Sequence, residues 1–126
     1  MNKRLYTIFL ISVFLLLPGF STAAERIYNV LFVQSYAPET PWHNDLVRGL
    51  KDGFGESGLK VNITTEFLDA TFWTYQSEKL IMRRFCERAR ERGTDLIVTV
   101  SDEAFHTLLT CGDSLALQLP IVFFNI

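Results

Sequence analysis

Ile27 to Ser35 reads IYNVLFVQS, and no other stretch limits the fold as tightly. Polar and apolar residues do not alternate in it, so both faces of the strand must be buried. Strands of that kind belong to parallel sheets covered by helices on each side. Asp95 to Ser101 (DLIVTVS) repeats the pattern, and Pro120 to Asn125 (PIVFFN) reads as a fourth strand. Leu59 to Asp69 differs, because Val61, Ile63, Thr65 and Phe67 alternate with Asn62, Thr64 and Glu66, as in a half-exposed strand at a sheet edge.

Helical segments lie between these runs. Pro41 is placed as the first residue of a helix capped by Thr40, since proline has no N–H to lose there and its φ is already helical. Leu46, Val47, Leu50 and Phe54 give that helix its apolar stripe, and Gly55 and Gly58 mark its end. A second helix is expected from about Thr74 to Arg92, with Tyr75, Ile81, Met82, Phe85, Cys86 and Ala89 inward. Arg88, Arg90 and Arg92 in its last turns suit the negative end of the helix dipole. A third is expected from Asp102 to Thr110. The order β-α-β-α-β-α-β implies right-handed crossovers and a three-layer, doubly wound parallel α/β sheet. With the second strand at an edge, its spatial order is 2-1-3-4.

Residues 1–24 read as a secretory signal peptide. Asn2-Lys3-Arg4 is basic, Leu5 to Leu17 is a largely apolar run, Pro18-Gly19 breaks it, and Ser21-Thr22-Ala23-Ala24 offers small residues for cleavage. The run is shorter than the roughly 20 residues a membrane span requires. Residues 25–126 then form one small domain on a prior of about 100–200 residues per domain. Without Lys3 and Arg4 the balance is 10 basic residues against 14 acidic, a net charge of −4. That balance argues against a nucleic-acid partner. Eleven phenylalanines and 48% hydrophobic residues exclude a disordered chain.

Several motifs match in letters but not in place. Gly53-Phe54-Gly55-Glu56-Ser57-Gly58 spells G-x-G-x-x-G, yet it follows a helix and precedes a strand, the wrong end for holding a dinucleotide; it reads as a helix stop. The basic stretch Arg83, Arg84, Arg88, Arg90 and Arg92 is interleaved with Glu87 and Glu91, which makes it a solvated helix face. Asn62-Ile63-Thr64 is a glycosylation sequon that matters only in a eukaryotic host. His43 and His106 are too isolated for a metal site, and neither metal nor cofactor is expected. Ser35, His43 and Asp69 or Asp102 can be written down as a nucleophile, base and orienter, but no G-x-S-x-G elbow accompanies them. Cys86 and Cys111 allow one disulfide, and spacing does not decide it; two buried free thiols are slightly favoured.

The polar residues carry the stronger pattern. Every strand of a parallel sheet delivers its C-terminal end to one rim, and ligands bind in the crevice outside that rim. Ser35 and Tyr36 follow the first strand, Asp69 with Thr71 and Trp73 the second, Ser101, Asp102 and Glu103 the third, and Asn125 the fourth. Hydroxyl, amide and carboxylate groups there suit a small polar ligand, with Tyr36, Trp42 and Trp73 as stacking area. The plainer alternative is that Ser101 and Asp102 only cap a helix.

Four segments in order, VLFVQSYAPETPWHNDLVRGLKDGF, EFLDA, DLIVTVSDEAFHTLL and PIVFFNI, resemble the N-terminal lobe of periplasmic-binding-protein-like domains. These serve as extracytoplasmic sensors of bacterial histidine kinases and diguanylate cyclases, and are related to ABC-transporter solute-binding proteins. The resemblance spans Val30 to Ile126. It implies that Ser35, Tyr36, Trp42, Asp69, Ser101, Asp102 and Asn125 line a cleft for a small molecule, with no catalysis by this chain. In that family the ligand closes between two lobes, and these residues supply one, so the sequence reads as part of a longer protein whose missing parts would provide any membrane attachment. Rival expectations are a solute carrier for uptake, a stand-alone lobe closing its sheet edge as a homodimer, and an exported hydrolase using Ser35 or Ser101.

Overall fold

The structure is a computed structural model, and it describes residues 24–125. The signal peptide expected over 1–24 therefore lies, but for Ala24, outside the described residues, as does Ile126. Four strands, β1 (Ile27–Gln34), β2 (Lys60–Phe67), β3 (Leu96–Val100) and β4 (Ile121–Phe124), form one sheet of order β2-β1-β3-β4. All pairs are parallel, running from Ile27 opposite Lys60, from Val30 opposite Leu96, and from Ile97 opposite Ile121. The α/β class, the parallel sheet and the order 2-1-3-4 are those expected from the sequence.

Helices α1 (His43–Glu56), α2 (Tyr75–Glu91), α3 (Asp102–Thr110) and the single-turn α4 (Leu115–Gln118) flank the sheet. On one face Val30, Phe32, Val98 and Val100 pack against Leu46, Val47, Leu50 and Phe54 of α1. On the other, Leu31, Val33 and Ile97 meet Met82, Phe85, Cys86 and Ala89 of α2, Ala104 and Leu108 of α3, and Leu115 of α4. Neighbouring residues of β1 thus enter different cores, which is why the run is apolar throughout. Each fully buried large side chain, such as Phe32, contributes roughly 1.5–3 kcal/mol over its exposed state.

Turn chemistry sets the helix ends. After α1, Gly58 N–H donates to Gly55 O at 3.1 Å and Leu59 N–H to Phe54 O at 3.2 Å. After α2, Gly93 and Thr94 repeat the pair onto Arg90 O and Ala89 O. Both are Schellman closures, with glycine at φ 73° and 63° where a Cβ would be strained. The G-x-G-x-x-G letters are thereby a helix stop, as expected.

Four features differ from the sequence reading, one of them α4, which was not expected. Helix α1 begins at His43 rather than Pro41, and Thr40 does not cap it. Thr40 N–H closes a turn onto Ala37 O and its carbonyl accepts from His43 N–H, while its hydroxyl is enclosed without a partner among the described residues. The two prolines thus spend their rigidity on consecutive turns ahead of the helix. Tyr75, expected inward, is exposed; it stacks on His106 and its hydroxyl meets Thr110 Oγ1 at 2.7 Å. The α2 arginines are not simply solvated: Arg88 donates to Glu66 of β2 at 2.8 and 2.9 Å, and Arg90 binds Asp113.

Candidate functional site

The hydrogen-bond ladder of the sheet continues beyond its strands to the rim. Leu68 N–H donates to Gln34 O and Ala70 N–H to Ser35 O, both at 2.8 Å, Ser35 N–H to Val100 O at 3.2 Å, and Ser101 N–H to Phe124 O at 2.8 Å. The residues following all four strands are thereby brought side by side. β1 connects to β2 on one side and β2 crosses back to β3 on the other, so chain direction reverses between β1 and β3. Loops leave that point in opposite directions, and outside it is where open parallel sheets form their ligand crevice.

Ser35 and Tyr36 flank the crevice from β1, and Ser101, Asp102 and Glu103 from β3. Ser35 is buried; its hydroxyl donates to Val100 O at 2.7 Å and accepts from Ala104 N–H at 2.8 Å. Ala104 is the third residue of α3, the position a helix's own N-cap side chain ordinarily reaches. Ser101 occupies the cap position of α3 but makes no capping bond. A serine from β1 therefore satisfies the first turn of α3, and the Ser35 hydroxyl is committed to structure.

Tyr36 spans the crevice, its hydroxyl donating to Glu103 Oε1 at 2.9 Å. That hydrogen bond, then burial and the charges of Glu103 and Asp102, push the phenol above its ordinary value of 10.0. Asp102, exposed in the first turn of α3, places a negative charge at the positive end of the helix.

Ser101 and Asp69 share an unusual backbone. They are the non-glycine residues with positive φ among those described, at 66° and 54°. Ser101 follows β3 directly, and Asp69 follows β2 after Leu68, both at the rim. Ser101, with ψ 162°, sits in a region that glycine alone enters freely, at a cost of roughly 1–3 kcal/mol. Such strain survives only where the surroundings fix it, here by the Ser101 N–H to Phe124 O bond and by α3 starting one residue later. Asp69 accepts from Thr71 Oγ1 at 3.3 Å.

Asn125 is exposed just beyond β4. Trp42 stands to one side, lining a groove of about 380 Å³ with Asp45, Leu46, Gly49, Leu50 and Phe124. Of the seven residues named from the sequence, six thus meet along the rim, and Trp42 walls the adjoining apolar groove. Missing from that reading were Glu103 as partner of Tyr36, and the pairing of buried Gln34 with His43 Nδ1, whose ring also packs at 5.2 Å from Phe67. Gln34 was legible as the polar residue ending a run of buried positions. Among the described residues no group of three or more His, Cys, Asp or Glu side chains could hold a metal ion, and no helix is long and apolar enough to cross a membrane.

No protein-family model matches the chain, and no curated protein does. The fold and rim define a class, a doubly wound α/β unit with polar side chains gathered at its switch point.

Proposed function

We propose that this chain is the N-terminal lobe of an extracytoplasmic, periplasmic-binding-protein-like domain that binds a small polar molecule for a bacterial sensor protein, and that it is not itself catalytic. The observation that carries the reading is the crevice between β1 and β3, where Tyr36 and Glu103 meet across the switch point beside the strained Ser101. A rigid, polar crevice at that point is where open parallel sheets take ligands. The ligand is an amine or a hydroxylated molecule. Segments 35–42, 69–74 and 101–105 contain Glu39, Asp69, Asp102 and Glu103 but neither lysine nor arginine, and exposed Phe72 and Trp73 offer aromatic faces to a cation. Service as a solute carrier for uptake uses the same site and differs only in the protein's partners.

Ser101 gives an exported hydrolase its one favourable observation, a serine strained at a strand-to-helix turn. The imidazoles are engaged elsewhere, His43 with Gln34 and Phe67 and His106 with Tyr75, so a base beside Ser101 would have to be another group. The binding reading is the better supported.

A panel of amines, polyols, amino acids and carboxylic acids, screened by thermal shift on the full chain and followed by calorimetry, tests it. The expected result is a stabilising amine or polyol whose affinity falls at least tenfold in Asp102→Ala and Asp69→Ala but not in Lys60→Ala. A ligand indifferent to both rim substitutions would sink the reading.

A further inference from the structure

Cys86 and Cys111 lie away from the rim. Cys86 is in the second half of α2 and Cys111 is the residue that ends α3; both are wholly buried in the same apolar cluster. Two contacts from α2 fix where Cys111 sits. Arg83 Nε donates to the Cys111 carbonyl, and Arg90 binds Asp113. Residues 83, 86 and 90 share one face of a helix, so the arginines clamp the 111–113 turn against the face that carries Cys86. Gly112 lets the turn come this close, since a Cβ there would stand 3.2 Å from the Arg83 guanidinium, and its φ is +83°. Both thiols are free, as the sequence slightly favoured; the Cys111 thiol donates to Leu108 O at 3.4 Å and lies near enough to help raise the Cys86 thiol.

We propose that Cys86 and Cys111 close into an intramolecular disulfide that pins the turn after α3 to α2. The oxidant is a dithiol–disulfide exchange partner in its disulfide form, small or protein. One cysteine thiolate attacks that disulfide, forming a mixed disulfide and releasing a partner thiolate. The second cysteine thiolate then attacks the protein sulfur of the mixed disulfide. The Cys86–Cys111 bond forms, two electrons pass to the partner, and the two protons lost by the cysteines leave it as a dithiol or, for glutathione disulfide, as two thiols. Burial, with Asp113 and Cys111 nearby, holds the Cys86 thiol up at about 12, so the packed thiol is a poor nucleophile. Exchange therefore starts on the chain before α3 and the following turn have docked.

The inference rests on the exported reading for its oxidant in the cell, but not for its geometry. Reduced full-length chain is equilibrated against a ladder of reduced and oxidised glutathione, quenched with acid, denatured, and treated with a maleimide. Mass spectrometry then counts adducts. The expected outcome is a chain that takes no maleimide and no glutathione at the oxidising end, with a peptide map joining Cys86 to Cys111, and an unfolding midpoint above that of the reduced chain. Cys86→Ala should carry a single glutathione on Cys111. Two maleimides, or two glutathiones, at the oxidising end would overturn the proposal. The same count is made on chain recovered from bacteria without reductant. A bond that closes on the ladder but is absent in cells leaves the cysteine geometry standing and tells against export.

Discussion

Replacing Ser35 by alanine removes a hydroxyl that holds three elements together. Its two hydrogen bonds join the end of β1 to Val100 O of β3 and to Ala104 N–H of α3. The Val100 carbonyl keeps its bond from Ser35 N–H at 3.2 Å, so only the Ala104 N–H is orphaned. Loss of a helix cap costs about 0.5–2 kcal/mol, and an unsatisfied buried donor about 1–3 kcal/mol. These describe overlapping losses, and Ser35→Ala should cost about 2–3 kcal/mol in total. With a urea dependence of roughly 1–3 kcal/mol per molar for a small domain, the midpoint falls by about 1 M in circular dichroism. Ser101 occupies the nominal cap position but makes no capping bond. Ser101→Ala should therefore stay within about 0.5 kcal/mol of the parent. Ser101→Gly should gain about 1 kcal/mol, because relief of positive-φ strain outweighs glycine's added chain entropy. If Ser101→Ala lost as much as Ser35→Ala, the cap would be local and the assignment of Ser35 wrong.

Gly93→Ala meets no neighbouring atom, so its expected cost of about 1–2 kcal/mol is purely the left-handed backbone; a neutral result in the same urea titration would contradict the Schellman closure of α2. Thr99 is fully buried with its hydroxyl unpartnered among the described residues, and Thr99→Val should raise stability by about 1 kcal/mol, a gain that thermal unfolding would detect. Asp113, through Arg90, and Asp95, through Asn29 N–H and Arg26, are held below the ordinary carboxylate value of 3.8. Depressed folded values mean stability that is complete above 3.8 and lost as pH falls through them; acid titration should show Arg90→Ala losing less below that pH than the parent does. Tyr36→Phe or Glu103→Gln should remove a tyrosine that titrates above its ordinary 10.0 in ultraviolet difference absorbance, and an unchanged titration would remove the Tyr36–Glu103 contact.

Strand type and order were readable because β1 and β3 lack alternation while β2 alternates, and those two patterns have different physical meanings in a parallel sheet; β4 has similar apolar letters but is largely exposed at the other edge. Helix stops were readable because glycine is nearly obligatory where φ turns positive. The start of α1 was misread: Thr40-Pro41 has the letters of a cap and first turn, but the Ala37 to Thr40 turn closes first and moves the helix to His43. Helix α4 was missed, since four residues carry no periodicity; the Asp113 carboxylate accepting from Leu115 N–H is its local cause. At the rim, the residue types were legible from strand ends alone, but not their division of labour. Ser35 and Ser101 look alike in sequence, and only the register of β1 on β3 shows that one is spent on α3 and the other is strained.

β1 sits between two neighbours that are distant in sequence. Its partners on β2 lie 33 residues further along the chain, and those on β3 lie 66 further. Nothing local can pair with this apolar strand, so its contacts form only after long loops have closed, a topology that slows folding. During synthesis the segment Val30 to Val33 emerges before either partner strand; β2 can cover one edge once residue 67 is made, but the other stays open until residue 100 has followed. The edge of β1 that later meets β3 is therefore an apolar surface left open on the growing chain, and a place where a chaperone or an aggregate would take hold.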